Sequence, residues 1–415
     1  MAGVKRAAKA HPNEPPARLL ATSVGVLGEE VAQMMPERRT LKRQVNRWQN
    51  EERPPLPGDL RNIVIVPPYD KNAKNERFLL YDSGVEDEDR LLIFASDWAI
   101  EKLCHCDMMF CDGTFKTVPE QFAQLFTIHG KYRNFVFPFV FCLTTRLDEN
   151  TYHRVYDVLK EKAVELGLQL APKKIMMDFE LGNINAARAA FPRAEVHLCL
   201  FHFTKSLWRH VQLLGLRREY EILESDIRKQ ITALKALPFL PLDDLADAFE
   251  EVTEGMDQRL DELISYLETT YVLGSQRRRR RLPPRFAPAL WNVYQLALDG
   301  EQRTNNAAEG WHNHFQKMMI VHHASIWRFL DVLKLEEKNI RTQVDQLRGG
   351  HTQLRDPLNK RYQTNQRQVE SIVAQYAQYK DEGDVLGYLR SIGYQLKSGP
   401  AAAEPAEPAE PDESQ

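Results

Sequence analysis

The amino-acid sequence predicts an α/β fold, a mixed sheet flanked by helices and interrupted by an all-helical insertion. Three observations carry this. Short apolar runs separated by turns fill residues 60 to 200. Apolar residues at helical spacing lie between the later runs. From Phe203 to about Ala297 the composition becomes helical and charged. The chain has 415 residues, 43% hydrophobic and 27% charged, an ordinary globular composition long enough for a sizeable core with accessory lobes. Its formal net charge is -3, so attraction to nucleic acid must come from local basic patches rather than from the average.

Residues 1–30 are rich in Ala, Pro and Lys and read as a disordered tail. In residues 31–58, Leu41, Val45 and Trp48 share one helical face and Arg39, Arg43 and Arg47 the opposite one, giving a basic helical segment that ends in the linker "RPPLPG". That basic face is either the solvated surface of a packed helix or a phosphate contact.

Residues 59–202 read as the first part of the core, opening with the strand-like runs "NIVIVPP", "RFLLYDSG" and "RLLIFASD". The strongest β signals follow in "DMMFCDG", "FAQLFTIHG", "FVFPFVFCLTT" and "KKIMMDF". Between the last two, Tyr152, Val155, Leu159, Ala163 and Leu166 recur at helical spacing. A helix through "NINAARAAF" and a strand at "EVHLCL" complete the order β-β-β-α-β-α-β. That order fits the topology of a ribonuclease H-like domain. The longest apolar run, "FVFPFVFCL", is far short of the roughly twenty residues needed to span a bilayer, and reads as a buried strand.

Residues 203–300 read as the helical insertion, and contain the run Arg277, Arg278, Arg279, Arg280 and Arg281. Such a run is a solvated loop, a phosphate contact or a nuclear-targeting signal. Residues 301–345 return to the core, 346–397 form a C-terminal helical region, and 398–415 are an acidic, Pro-rich disordered tail. The five cysteines are an odd number without a disulfide-framework pattern, and no charged-then-apolar signal segment opens the chain, so a reducing compartment is expected.

Two aspartates, Asp112 and Asp178, each close an apolar strand. A carboxylate there either caps the following turn or binds a cation, because an ionised carboxylate is costly to bury alone. Two of them on neighbouring strands repel unless a cation lies between. Mg²⁺ suits such oxygen ligands, and two ions about 3.5–4 Å apart serve in-line displacement at phosphorus. In "RTNNAAEGWHNHF", Glu309 is the third carboxylate, although its spacing from Asn306 also matches a helix capping box. His312 lies one turn later on the same face, placed to steady Glu309 or touch a phosphate, whereas His314 points elsewhere and Trp311 packs in the core. Asn305 and Asn306 shape the loop entering this helix. Cys199 and His202 have the spacing of half a zinc site, while Cys104, His105, Cys106 and Cys111 match no standard one.

Four stretches, "FCDGTFKTVPEQFAQLFTIHG", "IMMDFELGNINAARAAFP", "VHLCLFHFTKSLWRHVQ" and "RTNNAAEGWHNHFQ", occur in an order and spacing that resemble the Mutator-like element (MULE) transposases, the group often linked to FLYWCH zinc fingers. The resemblance spans about residues 60 to 335. It implies a ribonuclease H-like core with an acidic triad at Asp112, Asp178 and Glu309, a Cys and His at Cys199 and His202, and a helical insertion before the third acid. It further implies a Mg²⁺- or Mn²⁺-dependent DDE transposase that cleaves and transfers strands of double-stranded DNA, works as a homodimer or larger assembly, and acts in the nucleus. Zn²⁺ at Cys199 and His202 is a secondary expectation. The five arginines of the insertion and Arg39, Arg43 and Arg47 are the candidate DNA contacts. No cysteine precedes Cys104 and only His11 could be a relic of a zinc finger, so the finger is expected to be absent. Two other readings stay open: a transposase-derived DNA- or protein-binding protein without activity, and a nuclease of the same fold without strand transfer.

Overall fold

Near-continuous runs of large apolar residues need a sheet with both faces covered, and such runs here belong to a sheet of seven strands. The computed structural model describes residues 1–24, 35–51, 53–277, 280–319, 324–351, 354 and 360–396. The strands are β1 (Leu79–Asp82), β2 (Leu91–Phe94), β3 (Met108–Thr114), β4 (Gln124–Tyr132), β5 (Phe135–Thr144), β6 (Lys174–Met177) and β7 (Glu195–Leu198), in the sheet order β1-β2-β5-β4-β3-β6-β7. β1–β2, β2–β5 and β4–β5 pair antiparallel, whereas β3–β6 and β6–β7 pair parallel. Parallel neighbours require crossovers, which the helices Glu149–Glu165 and Leu181–Ala190 provide. β5 is buried from Val136 onward, as its unbroken apolar run requires. Its Pro138, which has no N–H to donate, sits opposite His129 where the register shifts. The run "NIVIVPP" is not a strand. Ile63 is buried, but Val64 and Val66 are exposed and two prolines follow.

The chain divides into two compact units. The first holds the described residues of 1–106, 112–170 and 308–351. Here the structure departs from the sequence reading, because residues 1–24 are not a disordered tail. Ala2–Ala10 and Pro16–Val24 are helices, and Val4, Ala8, Leu19 and Leu20 pack with Leu41 and Val45 of the helix Arg38–Gln49. The Gln49 amide donates to the carbonyls of His11 and Glu14 at 3.0 and 2.7 Å, closing the link between the first two helices. Arg53 pairs with Asp331 at 2.7 Å, and Arg328 donates to the Asn13 carbonyl at 3.1 Å, so these helices rest on the long helix Ile326–Arg348.

The second unit holds the described residues of 107–111, 171–307 and those beyond 351. Its helices include Leu200–Leu213, Asp226–Lys235, Leu245–Thr253 and Asp261–Leu267, the last three within the expected insertion. The C-terminal helix Val385–Gln395 packs on Asp226–Lys235 so closely that a Cβ on Gly393 would lie 2.1 Å from the Thr232 carbonyl. The C-terminal helical region thus shares a core with the insertion. The insertion is not wholly helical, because Gln276–Arg277 pairs antiparallel with Arg280–Arg281. An aromatic cluster fixes its inner wall: Phe203 stacks on Trp291, whose indole N–H donates to the carbonyls of Tyr271 and Phe286 at 3.2 and 3.1 Å. Phe179, next to Asp178, meets the edges of Tyr271 and Phe286. Residues 25–30 of the expected N-terminal tail and the acidic tail 398–415 lie outside the described residues. No described helix is long and apolar enough to cross a membrane.

Leu41→Ala should weaken the N-terminal three-helix cluster by about 2–5 kcal/mol. Limited proteolysis should then cut within residues 1–51 first, while the rest of the chain stays protected. Unchanged protection of that segment would show that the cluster does not depend on this contact.

Candidate active site

Asp112 and Asp178 each follow a run of buried apolar strand residues. β3 and β6 pair in parallel from Met108 opposite Lys174 to Phe110 opposite Met176. Asp178 follows the last residue of β6, as the sequence suggested, whereas β3 continues past Asp112 to Thr114. Gly113 permits that continuation, because a Cβ there would lie 2.1 Å from the Gln124 amide nitrogen.

In the first unit, Asp112 is 5% exposed and is held by polar residues buried with it. The Thr127 hydroxyl donates to the Asp112 carbonyl at 3.2 Å, and its oxygen lies 2.9 Å from His129 Nε2 and 3.2 Å from His312 Nε2. A hydroxyl has one hydrogen and two lone pairs, so with that hydrogen on Asp112 both imidazoles must present an Nε2–H to Thr127, a tautomer assignment that follows from the network. His312 Nε2 also lies 3.4 Å from the Asp112 carboxylate. His312 therefore engages the first acid. Glu309, half-buried, lies one turn before it on the helix Asn306–Met319. Trp311 packs inward as expected, stacking on Phe315 and donating to Glu336 at 2.9 Å, and His314 faces Glu336 at 3.7 Å.

In the second unit, His202 Nδ1 lies 3.0 Å from the Asp178 carboxylate. Burial opposes protonation of His202, but the Asp178 carboxylate, aided by Cys199, outweighs it and raises the imidazole pKa well above its usual value. Cys199 precedes the helix Leu200–Leu213, and its own N–H continues the sheet ladder to the Met177 carbonyl at 2.8 Å. Ligand atoms of Asp178, Cys199 and His202 all lie within 4.8 Å of one another. Oxygen, sulfur and nitrogen donors in one place suit Zn²⁺ better than Mg²⁺.

Asn305 belongs to this second unit as well. Fully buried, it donates its backbone N–H to Cys199 Sγ at 3.2 Å and its side-chain amide to the Cys111 carbonyl at 2.9 Å. The Leu200 N–H donates to the Arg303 carbonyl at 3.1 Å.

Residues 108–206 match the family model of the MULE transposase domain. That stretch is similar to MULE transposase domains. The matched stretch contains Asp112, Asp178, Cys199 and His202, and ends before Glu309. No curated protein matches the chain.

The Cys106 thiol donates to the Lys102 carbonyl at 3.2 Å, His105 Nδ1 lies 2.6 Å from the Glu101 carbonyl, and burial pushes the Cys104 thiol up to about 11. No disulfide joins any of the five cysteines. Arg39, Arg43 and Arg47 are exposed on the helix Arg38–Gln49. Arg280 and Arg281 are exposed, with Arg281 lying 3.5 Å from Glu268, while Arg278, Arg279 and the Arg277 side chain lie outside the described residues. Sequence reasoning passed over Thr127 and His129. The available signal was their i, i+2 spacing in the otherwise apolar "LFTIHG", which puts two polar side chains on one buried face.

Asn305→Ala leaves the buried Cys111 carbonyl without this donor and should cost about 1–3 kcal/mol in urea denaturation. The exposed neighbour Asn306, changed to Ala, should cost much less. Equal losses would contradict the tethering role of Asn305.

Proposed function

We propose that this protein is a DDE-type DNA transposase in which Asp112, Asp178 and Glu309 form the acidic triad. The observation that carries the reading is the match of residues 108–206, which hold Asp112 and Asp178, to the MULE transposase domain. Carboxylates gathered in one site repel unless cations lie between them, and three oxygen-donor acids suit Mg²⁺ or Mn²⁺. When bound, such ions activate the attacking hydroxyl and stabilise the leaving oxygen at phosphorus.

The chain's own residues then have definable tasks. Asp112 and Asp178 hold the metal positions, and Glu309 completes the site from the helix that Asn305 anchors. His312, braced by Thr127, orients the Asp112 carboxylate. His202 holds Asp178. Exposed Arg39, Arg43, Arg47, Arg280 and Arg281 contact phosphates of double-stranded DNA, with Arg277, Arg278 and Arg279 completing the second group. The two ends of the donor element call for a homodimer or larger assembly, and the substrate places the work in the nucleus.

The test uses the full chain with Mg²⁺ or Mn²⁺, a donor duplex carrying the DNA that borders its gene, and a supercoiled target plasmid. Wild type should cleave the donor and join its 3′ end to the plasmid. Asp112→Asn, Asp178→Asn and Glu309→Gln should each fall to the level of buffer alone, with double variants no lower, because the three acids act as a unit. Cleavage without joined product would replace this reading with a nuclease. No cleavage by folded wild type would point instead to a transposase-derived binding protein.

A further inference from the structure

Asp178 belongs to two chemically different settings. It is one of the proposed oxygen ligands, and it is also gathered with a thiol and an imidazole in the second unit. We propose that Asp178, Cys199 and His202 bind one ion of the Zn²⁺ class through one oxygen, one sulfur and one nitrogen, with a fourth position left open.

Geometry supports a single shared ion. At Zn–S of about 2.3 Å and Zn–N or Zn–O of about 2.0–2.2 Å, tetrahedral ligand atoms stand roughly 3.3–3.6 Å apart. The three donors already lie within 4.8 Å of one another, so small side-chain rotations close the set. The backbone around them is fixed from three directions. Cys199 is hydrogen-bonded to Met177 of β6, Leu200 to Arg303, and His202 stands in the first turn of a helix of 14 residues. The Asn305 N–H directed at Cys199 Sγ is the kind of outer hydrogen bond that steadies a metal-bound thiolate.

Selectivity follows from donor type. Mg²⁺ prefers oxygen ligands and retains its water, so the sulfur and nitrogen favour Zn²⁺ over it. On binding, Cys199 gives its thiol proton to solvent as the sulfur–metal bond forms. The His202–Asp178 pair gives up the proton it shares, freeing a nitrogen and an oxygen lone pair for the ion. Three protein ligands with an open position describe an exchangeable site rather than a closed structural one. A consequence rests on the transposase reading: an ion of this class draws Asp178 away from the Mg²⁺ position, so Zn²⁺ suppresses Mg²⁺-dependent strand cleavage.

Co²⁺ reports the site without reference to activity. Full-chain protein stripped of metal and titrated with Co²⁺ should develop a near-ultraviolet thiolate-to-cobalt band and intense visible bands, saturating at one ion per chain and bleached by Zn²⁺. Cys199→Ser should lose the thiolate band, His202→Gln should lose the four-coordinate visible bands, and Cys104→Ser should keep both. If Cys199→Ser fails to fold by circular dichroism, His202→Gln carries the test. No thiolate band in wild type, or a full spectrum in either folded ligand variant, overturns the site. In the cleavage assay, Zn²⁺ should suppress wild-type turnover in proportion to the occupancy measured with Co²⁺, and cleavage that persists at full occupancy overturns the inhibitory consequence. A chain inert under all metals with an intact cobalt spectrum fails the transposase reading and leaves the site standing.

Discussion

Parallel pairing of β3 with β6 is the constraint around which the candidate site is arranged. Met108 to Cys111 and Ile175 to Met177 are buried apolar residues, and their pairing sets Phe110 against Met176. A strand shifted by one residue turns every side chain to the opposite face, so the apolar pattern that fixes the core also fixes where the following aspartates fall. Placing acids there is costly, and the sequence invests a second set of residues to make it tolerable.

That second set repeats a motif. Each aspartate meets an imidazole supplied by a helix: His312 lies 3.4 Å from Asp112 in one unit, and His202 lies 3.0 Å from Asp178 in the other. Each imidazole has a further partner, the Thr127 hydroxyl for His312 and the Cys199 thiol for His202. The difference between the two partners matters. A hydroxyl only orients the ring, whereas a thiol adds a donor with affinity for borderline and soft ions. The two acids therefore sit in unequal surroundings, and only Asp178 has both a thiol and an imidazole beside it.

Strands β3 to β7 and the helices between them were legible because their apolar residues keep a clear period, and the strand-end acids were legible because a charge stands out there. The N-terminal helices were not. Their core consists of Val4, Ala8, Leu19 and Leu20, too few large residues to separate a packed helix from an Ala-rich tail, and its other half lies beyond residue 40. "NIVIVPP" misled in the opposite sense, since alternation without partners makes no strand. The union of the C-terminal helix with the insertion depends on Gly393 meeting Thr232, a contact between distant residues that local periodicity cannot encode. Asp112 and Asp178 were singled out as acids that close apolar runs, and Cys199 and His202 by their spacing. The aim of His312 at Asp112 and the grip of Asn305 on Cys111 and Cys199 required the fold.

The most direct test of the triad is anomalous diffraction from crystals grown with Mn²⁺, recorded on either side of the manganese absorption edge. The expected result is manganese density coordinated by the carboxylates of Asp112 and Asp178, with Glu309 completing the shell. Manganese bound only elsewhere, with these three carboxylates free of metal in an ordered core, would contradict the assignment.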